Sequence, residues 1–333
     1  MTPPLLLAVP NVSEGRDERV IAAIGEAFAG GGESARGVRL LDVHSDPDHH
    51  RSVYTLVGPP GALADTLVAG ARAAVERVDV MHAGGEGRAA ESAEDAAVRQ
   101  HPFVGALDVA PVVYVRERDR GAACAEALVV ADRIGEELGV PVFLYGELTA
   151  DDGSTGRTRA QLRQGGVREL ARRMAAPPEH EERDACHAEG RSGDSLAPDF
   201  GPARMHVSAG ATLVAARAPL VAFNVQLAEP AGVGEARAIA ARIREGGEEG
   251  LQGVRAIGVR LGVGVAQVSM NVERPRETPL GEIVAAISAH APVASAELVG
   301  LAPRAALEGF PRDVNLQDFD PARHVIENAL GFG

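Results

Sequence analysis

The sequence predicts an α/β protein of the α+β type, built as two βαββαβ-like subdomains, each a twisted sheet with its helices on one face. Three observations lead there. Apolar runs of strand length alternate with stretches whose apolar residues recur at helical spacing. A polar tract rich in Pro and Glu, over residues 175–196, interrupts this alternation, which then resumes in a similar order. With 333 residues, 45% of them hydrophobic and 24% charged, the chain has enough apolar side chain for two cores. The expected division is a first subdomain over residues 1–178, a linker over 179–196, and a second subdomain over 197–333.

Taken in order, residues 5–9 read as a strand and 10–15 as a turn. Residues 16–29 read as a helix, with Val20, Ile21, Ile24 and Phe28 along one side and a triple glycine to stop it. Two β-rich runs, 38–43 and 52–57, flank a polar turn, and Pro59-Pro60 opens a helix reaching to about 78. Residues 83–100 form a polar Gly/Ala/Glu segment whose length calls for a small extra helix or a flap. A strand over 109–115, a helix over 122–138 and a strand over 142–144 complete the first half. The second half reads strand 220–227, helix 234–245, strands 254–261 and 265–272, helix 279–290 and strand 293–299. A cleft between two such layers is where a ligand belongs.

Composition excludes several classes of function. A formal net charge of −14 without any basic run argues against nucleic acid and anionic membranes. All 33 basic residues are arginine, so lysine Schiff bases and lysine-dependent phosphate loops are ruled out, whereas carboxylate recognition by guanidinium forks is not. Cys124 and Cys186 are too few for a disulfide framework and lack metal spacing, which suits a cytoplasmic protein. The first ten residues have no basic head and only a short apolar run, unlike a signal peptide.

His101 stands beside Pro102 at the mouth of an apolar strand. An imidazole there can take and return a proton near neutral pH. Asn11, Ser13 and Glu14 precede the first helix, where they serve either an anionic group or helix capping. Gly105 and Gly210 permit either the approach of a flat ring or tight turns. The run from His44 through Ser45, Asp46, Pro47, Asp48, His49 and His50 crowds imidazoles and carboxylates into one turn.

Many blocks, in order along nearly the whole chain, resemble the formiminotransferase family. They include Val9-Pro10-Asn11-Val12-Ser13-Glu14-Gly15-Arg16, Arg51-Ser52-Val53-Tyr54-Thr55, His101-Pro102 with Gly105-Ala106-Leu107-Asp108, Pro141-Val142-Phe143-Leu144-Tyr145-Gly146, Ala197-Pro198-Asp199-Phe200-Gly201, Ala222-Phe223-Asn224-Val225, Gln267-Val268-Ser269-Met270-Asn271 and Glu297-Leu298-Val299-Gly300-Leu301. The resemblance implies transfer of the formimino group of N-formimino-L-glutamate to N5 of tetrahydrofolate, in histidine degradation. It implies two subdomains with facing sheets and outer helices, folate between them, and a homodimer. It places the catalytic role on His101.

The same match, with the chemistry of the side chains, names Asn11, Arg51, Gly105, Asp108, Gly210 and Asn224 as folate-holding candidates. His44, Asp46, His50, Phe103 and Arg204 become candidates for the amino-acid donor. A cationic amidine calls for carboxylates near the adduct, for which Asp46, Asp48 and Asp108 are candidates. Arg51, Arg204 and Arg217 suit the carboxylates of both substrates. No metal is expected.

Several positions depart from the family pattern. His44 replaces the aspartate of animal members, His50 an asparagine, and Phe103 an arginine directly after the His-Pro pair, and residues between Asp79 and His101 carry an insertion. These departures suggest a paralogous transferase with another formimino or formyl donor or acceptor. Two other classes compete with it: a metal-dependent hydrolase using the His44–His50 run, and a non-catalytic folate-binding homologue.

Overall fold

A computed structural model describes residues 4–30, 37–82, 102–150, 156–175, 196–262 and 264–331. The expectations for residues 83–101 and most of the tract 175–196, His101 and Cys186 among them, fall outside the described residues. The chain divides into two compact units: residues 1–38, 57–91 and 101–217, and residues 39–56, 92–100 and 218–333.

In the first unit, β1 (Leu6–Ala8) and β2 (Asn11–Val12) pair antiparallel with β5 (Leu107–Tyr114), all eight residues of which are buried. Asn11 and Val12 are thus extended where a turn was expected, because their backbones pair with Val109 and Leu107. Helix α1 (Glu18–Phe28) starts where Asp17 caps it, its Oδ1 accepting from Arg19 N at 2.9 Å and Val20 N at 3.2 Å. Its buried Ile21, Ile24 and Phe28 recur at helical spacing. After β3 (Arg39–Asp46) and β4 (Arg51–Gly58), α2 (Ala62–Arg77) begins against α3 (Arg120–Leu138). The buried Glu126 carboxylate of α3 accepts from Gly61 N and Ala64 N, so one helix caps the other.

Strand β6 (Val142–Leu144), the short helices α4 (Arg159–Arg163) and α5 (Gly166–Ala175), and β7 (Thr212–Arg217) complete this unit. β7 pairs parallel with both β5 and β6. Residues 197–217 therefore group with the first unit, on the near side of a boundary that the polar tract had suggested at 196/197. Leu162 of α4 and Leu170 of α5 pack with Val109, Leu213 and Ala215, a second helical cover that alternation in the sequence does not reveal.

In the second unit, β8 (Val221–Leu227), α6 (Val233–Ile243), β9 (Val254–Arg260), β10 (Ala266–Val272), α7 (Leu280–Ser288) and β11 (Val293–Val299) run in the expected βαββαβ order. With β12 (Leu316–Gln317), the sheet order is β12-β11-β8-β10-β9, antiparallel except where β11 meets β12. The core is made by one sheet face, including Val221, Phe223, Val225, Val268 and Met270, packed on Ile239 and Ile243 of α6 and Ile283 and Ile287 of α7. The strands β3 and β4 pair with each other and belong to the seven-stranded sheet with β1, β2, β5, β6 and β7, although residues 39–56 cluster with the second unit. The protein is thus an α/β fold in two subdomains, each with a mixed or antiparallel sheet.

Candidate functional site

In the first unit, the residues that follow His101 are fastened to the loop that leads into β7. Ala211 N donates to Val104 O and Ala106 N to Ala209 O, both at 2.9 Å, and Gly105 forms an antiparallel bridge with Gly210. A Cβ on Gly105 would lie 1.8 Å from Ala211 O, and one on Gly210, at φ +72°, 2.4 Å from Val104 O. Backbone approach therefore requires glycine at both places. Directly after β2, Ser13 Oγ donates to Gly105 O at 2.7 Å.

Asp108, only 2% exposed, accepts from Val104 N at 2.9 Å and pairs with the Arg163 guanidinium of α4. A buried carboxylate persists only with partners of this kind. On the other side of residues 83–101, Val80 N and Met81 N donate to Ser208 O of the same loop, at 2.9 and 3.3 Å. Asn11, Gly105, Asp108 and Gly210 are therefore brought together at one end of one sheet.

In the second unit, side chains do what backbone does in the first. The face of its sheet away from the core bears a row, Glu297 on β11, Asn224 on β8 and Ser269 on β10, which are direct cross-strand neighbours. Asn224 Nδ2 donates to Glu297 Oε2 at 2.9 Å, and Ser269 Oγ donates to Asn224 Oδ1 at 2.8 Å. His44 Nε2 of β3 lies 3.6 Å from Glu297 Oε1. The next row holds Ser295, Gln226 and Gln267: Ser295 Oγ donates to Gln226 Oε1 at 3.2 Å, while the Nε2 of Gln267, a residue 1% exposed, meets no acceptor among the described residues.

At the tip of the β3–β4 hairpin, Asp46 Oδ1 accepts from Asp48 N and His49 N at 2.8 and 2.9 Å, as turn chemistry requires. Asp48 Oδ1 accepts from Gly262 N at 3.2 Å. His50 takes a left-handed φ of 48°. Burial pushes the His49 pKa down, with the Arg51 charge adding to it, against the opposing pull of Asp46, Asp48 and Glu297. Among the described residues, no three His, Cys, Asp or Glu side chains converge as metal ligands.

The carboxylates of Asp46, Asp48 and Asp108 are thus all engaged by backbone N–H groups or by Arg163. At the start of α1, Glu14 Oε1 takes Arg16 N at 2.8 Å and Asp17 N at 3.0 Å, so local carboxylates serve the helix terminus. Phe103 is half-buried, and Arg204 is exposed with no hydrogen bond or ion pair among the described residues. Elsewhere, Tyr114 Oη donates to Glu147 at 2.6 Å, and burial with that carboxylate raises its pKa. Burial raises the Cys124 thiol as well, which leaves it a poor nucleophile. Sequence reasoning missed Glu297, Gln267 and Ser269 as site residues. The available signal was polar residues at matching alternate positions of three strands whose other positions are apolar.

Comparison with known proteins gives a consistent picture. The N-terminal subdomain of the formiminotransferase domain matches residues 5–217 and the formiminotransferase domain residues 222–310, on either side of the structural division at Arg217. The glutamate formimidoyltransferase of Streptococcus pyogenes serotype M1 is 32% identical, over 97% of each chain. That of Thermoplasma acidophilum is 32% identical over 91% of this chain and 89% of its own. The formimidoyltransferase-cyclodeaminase of Gallus gallus is 33% identical over 91% of this chain and 51% of its own. The chain spans about half the length of that last relative.

Proposed function

Because this chain belongs to the formiminotransferase family, a family of one-carbon transferases, we propose that it moves a formimino group from N-formimino-L-glutamate to N5 of tetrahydrofolate. The observation that carries this reading is identity with a glutamate formimidoyltransferase along nearly the full length of both chains. The transfer requires a proton to leave the attacking nitrogen and another to reach the departing amine. His101 is the general acid and base in this reading. What supports its placement is the chain around it: the segment after it is held by Gly105, Gly210 and Asp108, and the segment before residues 83–101 by Ser208.

Tetrahydrofolate enters as co-substrate, and no metal takes part. Asn11, Arg51, Gly105, Asp108, Gly210 and Asn224 belong to the folate side of the reading, directly or by holding the groups that touch it. His44, Asp46, His50, Phe103 and Arg204 belong to the donor side. The protein works in the cytoplasm as a homodimer, in histidine degradation. Among the described residues no helix is long and apolar enough to cross a membrane. A second reading, another formimino or formyl donor, is favoured by His44, since it brings an imidazole into contact with Glu297.

A thermal-shift panel tests the function. Tetrahydrofolate and N-formimino-L-glutamate should each raise the melting temperature, by linkage of binding to folding. Stabilisation by zinc with none by tetrahydrofolate would instead support the hydrolase reading and overturn this one.

A further inference from the structure

The formimino group is an amidine, cationic when protonated, and its recognition needs a carboxylate with acceptor capacity to spare. Asp46, Asp48 and Asp108 accept from backbone N–H groups, and Asp108 also pairs with Arg163. Glu297 is different. Its side chain is 26% exposed, and one oxygen accepts from Asn224 Nδ2. The other faces His44 Nε2 at 3.6 Å, longer than a hydrogen bond. An ionised carboxylate offers about four acceptor positions, so most of this one's capacity remains.

Asn224 is in turn fixed at its other end by Ser269, so the row holds the carboxylate in one orientation. On the same face, one row along and two strands over, Gln267 carries a buried amide N–H with no acceptor among the described residues. A buried donor left without an acceptor is destabilising, so this amide favours a ligand that accepts from it. Strand spacing places the two Cα positions roughly 12 Å apart.

We propose that this polar face of the second unit's sheet reads the donor at two points: Glu297, braced by Asn224, takes the cationic formimino nitrogen, and Gln267 donates to a carboxylate of the same amino acid. The inference rests on the formiminotransferase reading and deepens it. Asn224 then serves the donor rather than the folate, as a positioning residue, and Glu297 determines specificity for a charged amidine over a neutral formyl group.

Calorimetry on the full chain with N-formimino-L-glutamate and N-formyl-L-glutamate, the same skeleton with and without the positive charge, tests this. Wild type should bind the formimino compound at least about tenfold more tightly, and Glu297→Gln should erase that preference while leaving the formyl affinity within about twofold. Gln267→Leu should weaken both compounds alike. If Glu297→Gln melts out of range, Asn224→Ala gives a second test: without its brace on Glu297 the preference should shrink by at least about threefold, and its full retention would overturn the proposal. Retention of the wild-type ratio in Glu297→Gln, or no weakening in Gln267→Leu, overturns it too. Failure of wild type to bind the formimino compound at all would remove the functional reading along with it.

Discussion

The loop before β7 and the polar face of the second sheet position their residues by opposite means. In the first unit, backbone lies against backbone: Gly105 and Gly210 approach so closely that no side chain fits, and the buried charges of Asp108 and Arg163 neutralise each other. In the second, Glu297, Asn224 and Ser269 are joined through side chains, with His44 and His49 near them. The difference teaches where change is tolerated. A backbone contact either forms or fails, whereas a row of side chains can be retuned for another ligand at modest cost in stability. His44 and His50, where the resemblance leads one to expect an aspartate and an asparagine, both belong to the second unit.

Breaking the first region should produce the largest effect. Arg163→Met leaves the Asp108 carboxylate buried without its cation and should cost about 3–5 kcal/mol, measured as a shift in the urea midpoint. A loss under about 1 kcal/mol would mean that the pair does not hold the Val104 segment. Gly105→Ala should come next, at about 3 kcal/mol, because a Cβ meets the Ala211 carbonyl, which is backbone and cannot swing aside. Near-normal stability for Gly105→Ala would show that the loop before β7 gives way, and the contrast between the two regions would weaken.

The smallest effect sharpens the second region and depends on pH. His49 has a lowered pKa in the folded protein, chiefly from burial. Below its ordinary value of 6.5 the unfolded chain takes up a proton that the folded chain resists. Stability should therefore be full above pH 6.5 and fall as pH drops beneath it. His49→Phe, which has no proton to gain, should lose less stability than wild type between pH 7.5 and pH 5.5. Equal losses in the two proteins would place the titrating group elsewhere.

Much of the second sheet was legible in the sequence because local rules govern it. Val221, Phe223 and Val225 alternate with Ala222, Asn224 and Gln226, and α6 and α7 carry apolar residues at helical spacing, so strands and helices fall within a residue or two of expectation. β7 was not legible as part of the first unit. Its partners in β5 lie about a hundred residues earlier, and parallel pairing at that distance leaves no local mark, whereas the polar tract before it looks like a boundary. In the site, Asn224 and Asp108 stood out through the resemblance. Arg163 did not, since one arginine among 33 basic residues carries no sign of a carboxylate 55 positions away. Glu297 and Gln267 emerge only when three strands are laid side by side.

Proton transfer by His101 in formimino transfer is tested by steady-state assay of His101→Ala. With N-formimino-L-glutamate and tetrahydrofolate, kcat should fall by roughly 10²–10⁴-fold, while the affinity for tetrahydrofolate and the melting temperature stay near wild type. An intact fold with an unaltered rate in His101→Ala would place the acid and base on another residue and contradict the account.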